Sequence, residues 1–68
     1  MEVSARNQIK GTIRDIKLGS VMAKVAVEIA GGTILNSVIT VDSVQGLDLK
    51  VGEQITVLIK STEAMIGK

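Results

Sequence analysis

The sequence has no cysteine, no histidine, no proline, and no phenylalanine, tyrosine or tryptophan. Each absence removes a class of protein. Without cysteine there is neither a disulfide framework nor a reactive thiol, and without histidine as well the common zinc sites go too. Without aromatic rings there are no platforms on which single-stranded nucleic acids stack. The formal net charge is +1, with no basic run, so the chain carries no strong electrostatic footprint for a polyanion. Nucleic acid is therefore not the expected partner. No apolar run reaches the length of a membrane span, and no charged leader precedes an apolar block. The expectation is a soluble, cytoplasmic protein with no membrane partner.

What is present is a short chain, 68 residues, of which 46% are hydrophobic. Residues 1–68 read as a single domain. So small a core is only marginally stable alone, and reinforcement usually comes from disulfides, a structural metal or oligomerisation. The composition excludes the first and the commonest form of the second. A homo-oligomer is expected.

Alternation with period two dominates the chain. In "MAKVAVEI", residues 22–29, Ala23, Val25, Val27 and Ile29 share one face, opposite Lys24, Ala26 and Glu28. In "QITVLIK", residues 54–60, Ile55, Val57 and Ile59 point inward. The run "TILNSVITV", residues 33–41, is apolar on both parities and reads as a strand covered on both faces. The first strand spans about Asn7 to Leu18, but its apolar parity switches between Ile13 and Ile16, which predicts a bulge at Arg14-Asp15. Gly19-Ser20 and Gly31-Gly32 mark turns. Between Thr40 and Gly46 the spacing changes to three, with Val41, Val44 and Leu47 in step. Thr40 fits an N-cap, Asp42 a first turn, and Gly46 a helix end. With a further short segment near Met65-Ile66, the pattern predicts an all-β fold: a five-stranded Greek-key barrel of the oligonucleotide/oligosaccharide-binding (OB) type, with one short helix between strands three and four. Outward-facing Ala26, Val38 and Leu58 leave apolar patches that suggest subunit contacts.

Catalysis has little to draw on. The acids Glu2, Asp15, Glu28, Asp42, Asp48, Glu53 and Glu63 are scattered in the manner of solvated charges. "GTIRDIKLG" lacks the loop-then-helix setting of a phosphate loop. No catalytic residues are assigned, and an enzyme is not expected. Donors, in contrast, cluster at three places. Ser4, Arg6 and Asn7 lie near the start, Lys60, Ser61 and Thr62 follow the last strand, and Thr40 and Ser43 sit where the helix begins and free N–H groups point outward. Two cations with hydroxyls suit a small tetrahedral oxyanion. Each also has a plainer reading: solvated ends for the first two groups, a helix cap for Thr40, and an ordinary first-turn residue for Ser43. Residue type alone stops at that choice.

The stretches "SARNQIKGTI", "GSVMAKVAVEIAGG" and "ITVDSVQGLDLKVGEQITVLIKSTEAMI" resemble the molbindins, small molybdate-binding proteins made of one molybdate/tungstate-binding, TOBE-like domain. The resemblance covers essentially the whole chain, and SARN, the "IT..S...L.L..G" block and "IKSTE" are its most specific parts. It implies reversible binding of molybdate or tungstate for intracellular molybdenum storage and homeostasis, with no cofactor and no metal bound except as the oxyanion. It implies a hexamer, a trimer of dimers that exchange the N-terminal strand, with the oxyanion held between subunits. On this sequence the ligands would be Ser4, Arg6, Lys60 and Ser61, with Thr40 and Ser43 from a neighbour. Ala5 and Thr62 would add contacts, and a second class of site at three-fold contacts would use backbone near Gly19, Ser20 and Val21. The alternative reading is an OB-type nucleic-acid-binding or purely structural interaction module.

Overall fold

The computed structural model describes residues 3–68; Met1 and Glu2 lie outside them, and with them the reading of Glu2 as a solvated charge. Among the described residues the order is β1 (Asn7–Leu18), β2 (Met22–Ile29), β3 (Ile34–Thr40), α1 (Val41–Gly46) and β4 (Gln54–Ile59), with single 3₁₀ turns at Ala30–Gly32 and Ser61–Glu63. The strands form one four-stranded antiparallel sheet in the order β3-β2-β1-β4.

β1 is shared between two partners. Asn7–Thr12 registers with β4, from Ile59 back to Gln54, and Gly11–Leu18 registers with β2, from Ile29 back to Ala23. The register slips between Ile13 and Asp15, where the parity switch predicts a bulge. One extra residue turns the strand so that Ile13 and Ile16, of opposite parity, face the same core. Gly11 occupies the crossing point, where both partners overlap. A Cβ there would lie 2.5 Å from Val27 Cγ1 and 2.8 Å from the Glu28 carbonyl oxygen, so the close approach requires glycine.

The core is small and entirely aliphatic. Ile13, Ala23, Val25, Val27 and Val44 are buried, and Ile39, Val41, Leu49, Ile55 and Val57 pack half-buried against them. The alternation in β2 is therefore the main determinant of the core. α1 closes one end of the sheet with Val44. It starts at the Thr40 cap, whose Oγ1 accepts from the Ser43 N–H at 3.0 Å. It ends at Gly46, as expected, and the left-handed residue beyond its end is Asp48, at φ 52°. The Asp48 N–H donates to the Gln45 carbonyl and the Leu49 N–H to the Val44 carbonyl, a Schellman arrangement with Asp48 in the place usually held by glycine.

Two expectations are corrected. Among the described residues four strands form rather than five, because residues 64–68 pair with no strand, and β3 and β4 are not joined to each other. The sheet is a half-barrel, open between its edges. In an extended segment Met65 and Ile66 point to opposite faces, so they supply no alternating stripe to drive pairing. β3 is covered on one face only: Leu35, Ser37 and Ile39 are half-buried, whereas Ile34 and Val38 are exposed. β3 is an edge strand with no second layer over its outer face. No helix among the described residues is long and apolar enough to cross a membrane.

Candidate functional site

The sheet register sorts the candidate donors into two groups, one at each end of β1. The last registered pair of β1 and β4 is Asn7 with Ile59, so Arg6 and Lys60 leave the sheet together, followed outward by Ala5 and Ser4 on one side and Ser61 and Thr62 on the other. Two side-chain bonds order this end. Asn7 Nδ2 donates to the Ile59 carbonyl at 3.2 Å, tying the start of β1 to the end of β4, and Gln8 Nε2 donates to the Ala5 carbonyl at 3.3 Å. Beyond Lys60 the 3₁₀ turn is closed by Glu63 N–H donating to the Lys60 carbonyl at 2.9 Å. Ser4, Arg6, Lys60, Ser61 and Thr62 are all exposed. Among the described residues their side chains make no hydrogen bond or salt bridge.

The second group lies at the other end of β1. Leu18 pairs with Ala23, Ala23 with Ile39, and Met22 with Thr40, which brings the Gly19-Ser20-Val21 turn beside the start of α1. Gly19 N–H closes that turn on the Met22 carbonyl at 2.8 Å, and Val41 N–H donates to the Val21 carbonyl at 2.8 Å. Thr40 Oγ1 and Ser43 Oγ are 2.8 Å apart. One hydroxyl hydrogen lies between them, so the pair keeps one O–H to donate outward. The N–H groups of Val41 and Ser43, expected to be free at the helix start, are both taken, by Val21 and by the cap. The hydroxyls, not these amides, remain available.

β1 has 12 residues and rises about 3.3 Å per residue, enough to run most of the molecule's 33 Å length. Six of the candidates therefore gather at one end, and five (Gly19, Ser20, Val21, Thr40 and Ser43) at the other. A single chain does not bring Thr40 and Ser43 to Arg6.

The TOBE domain model matches residues 3–66, nearly the whole chain. The chain belongs to the TOBE domain family. It is 48% identical over 66 residues to molybdenum-pterin-binding protein 1 of Clostridium pasteurianum, covering 97% of each chain. It is 43% identical to the probable molybdenum-pterin-binding protein of Haemophilus influenzae, covering 98% of this chain and 97% of the other. Among solved structures it superimposes on MopII from Clostridium pasteurianum with a TM-score of 0.93 at 46% identity, covering 98% of this chain and all of that one. On the molybdate-binding protein from Sporomusa ovata the TM-score is 0.94 at 43% identity, with both chains fully covered.

Within this TOBE domain two features escape a reading of residue types. Asn7 and Gln8 position the Ser4–Arg6 segment; their place at a strand start next to a donor cluster is the signal that could have marked them. Carboxylates also stand near both groups, Asp42 in the first turn of α1 and Glu63 in the turn after Ser61, so neither neighbourhood is free of negative charge. A polar depression of about 540 Å³, lined in part by Lys10, Thr12, Arg14, Glu28, Gln54 and Thr56, lies mid-strand and includes none of the candidates. Its guanidinium is already committed, with Arg14 Nε 2.9 Å from Glu28 Oε1.

Proposed function

We propose that this protein binds molybdate reversibly, without catalysis, at contacts between copies of the chain, and binds tungstate in the same way. The observation that carries this reading is the convergence of Ser4, Arg6, Lys60 and Ser61 at the Asn7–Ile59 end of the sheet, with side chains uncommitted to protein partners. Two cations balance the charge of a dianion, and hydroxyls add directional bonds to its oxygens. Thr40 and Ser43 of a neighbouring copy complete the shell with the outward O–H of their hydroxyl pair. Ala5 and Thr62 contribute nearby contacts, and backbone at Gly19–Val21 offers a second, weaker position. The relatives' names and titles mention both a molybdenum pterin and molybdate. The donor set, with no aromatic side chain in the sequence to hold a fused ring, favours the oxyanion itself.

The assembly in this reading is a hexamer built from dimers, and the biological role is cytoplasmic storage and buffering of molybdenum. A core of few fully buried residues and the exposed Ile34, Val38 and Leu58 support an oligomer. No further cofactor is required, since the anion is the whole ligand. Titration calorimetry with molybdate, tungstate, sulfate and phosphate tests the proposal. Uptake of molybdate and tungstate, with sulfate and phosphate much weaker, is expected. Equal sulfate binding would remove the specificity, and no oxyanion binding at all would leave a structural interaction module.

A further inference from the structure

Residues 4–6 carry two of the donors assigned to the anion, yet little in the fold holds them. The β1–β4 ladder stops at Asn7 with Ile59, and Ser4 and Arg6 both lie at bends rather than in a strand. Among the described residues no main-chain hydrogen bond reaches residues 4–6. What reaches them is a side chain, Gln8 Nε2, which donates to the Ala5 carbonyl at 3.3 Å. Ala5 is half-buried, unlike the exposed Ser4 and Arg6 on either side of it. Were this segment free, a ligand would have to order it on binding, and affinity would fall accordingly.

The bond also fixes a direction. The Ala5–Arg6 peptide is planar and trans, so its N–H points opposite to its C=O. While Gln8 holds the carbonyl, the Arg6 N–H is turned away from Gln8, and it has no protein partner among the described residues. The reverse orientation would present a carbonyl oxygen, itself an acceptor, to a ligand. A fully deprotonated oxyanion has acceptors only, so the orientation of this one peptide decides between a further hydrogen bond and a repulsion.

We infer that Gln8 is a positioning residue for the oxyanion site: by occupying the Ala5 carbonyl it holds the Ser4–Arg6 segment and turns the Arg6 main-chain N–H, not the Ala5 oxygen, toward the ligand. This rests on the function proposed above. Gln8 itself does not touch the anion; it lies on the exposed parity of β1, registered with Leu58. Asn7 acts differently. Its amide ties β1 to β4 at the Ile59 carbonyl, so it sets how far apart the two donor groups stand and not how the Ala5–Arg6 peptide faces. The requirement at position 8 is for a donor at that reach. Glutamate has the same length, but its ionised carboxylate only accepts and would push the Ala5 carbonyl away.

Gln8→Met, which keeps the length and removes the donor, and Gln8→Glu, which replaces the donor with an acceptor, test the proposal on the full chain. The first measurement needs no ligand. Backbone order parameters from NMR relaxation at Ala5 and Arg6, about 0.85 when the segment is held, should fall to about 0.6 or below in both variants. Those of Ile9–Ile13 and the unfolding midpoint should stay as in the unsubstituted protein, because the bond is exposed and local. In calorimetry the molybdate Kd should rise about three- to tenfold for Gln8→Met, and further for Gln8→Glu. The Arg6 amide resonance, displaced by molybdate in the unsubstituted protein, should move less in either variant. Unchanged order parameters would overturn the hold. Reduced order with unchanged affinity, or a loss of affinity matched by a lowered unfolding midpoint, would overturn the positioning role. If the unsubstituted protein takes up no molybdate, the proposed function and the ligand-facing role fall together, and relaxation alone still decides whether Gln8 holds the segment.

Discussion

The hydroxyls at the Asn7 end of β1 are held differently from those at the Leu18 end. Ser4 and Ser61 stand exposed beside Arg6 and Lys60, with no side-chain bond to the protein among the described residues. Thr40 and Ser43 are bonded to each other, and the Thr40 oxygen also caps the Ser43 N–H. A capping hydroxyl stabilises the helix that carries it, whereas an uncommitted one adds nothing to the fold. Substitution at the two ends should therefore separate stability from binding, and substitutions at four positions sharpen or break that contrast.

The largest effect lies between the ends. Ile13, fully buried where β1 changes partner, should cost about 2–5 kcal/mol on substitution with alanine, measured by chemical denaturation. A loss below about 1 kcal/mol would mean that the two halves of β1 fold without a common centre. Next comes Arg6→Ala. It should weaken molybdate binding by about 1.5–3 kcal/mol, one to two decades, while leaving the unfolding midpoint of the ligand-free protein unchanged. A fall in stability without a change in affinity would reverse the role assigned to that end.

Thr40→Ala should lower stability by about 1 kcal/mol through loss of the cap, and weaken binding as well. Thr40→Ser, which keeps the oxygen, should restore most of both. If alanine at position 40 changed neither quantity, the hydroxyl pair would be incidental. The smallest effect is expected at Arg14→Ala. Its ion pair with Glu28 is exposed and stands away from both ends, so a change in stability of about 0–1 kcal/mol and none in molybdate affinity are expected. A clear loss of affinity there would move the site to the mid-strand depression.

Much of this was legible from the residue pattern. The alternation in Met22–Ile29 identified the buried face of β2, and the parity switch between Ile13 and Ile16 located the bulge, because period two admits no other way to keep both side chains on one core. The hydroxyl at Thr40 and the spacing of three after it marked α1. The donors themselves were visible as residue types. Asp48 as the left-handed residue was not, since its conformation depends on how the helix end is bonded rather than on its side chain.

The all-β class, four of the strands and the short helix were thus determined by the sequence through local periodicity, and the donor-rich character of the candidate site through side-chain chemistry. The tertiary structure decided which donors meet. It placed Arg6 with Lys60 because β1 and β4 are registered from Asn7 and Ile59, and it sent Thr40 and Ser43 to the far end. It also left β3 and β4 unjoined, so the barrel is open where residue pattern suggested closure. Register and closure are long-range properties: they depend on which strands find each other across the core, which no local stretch of sequence encodes.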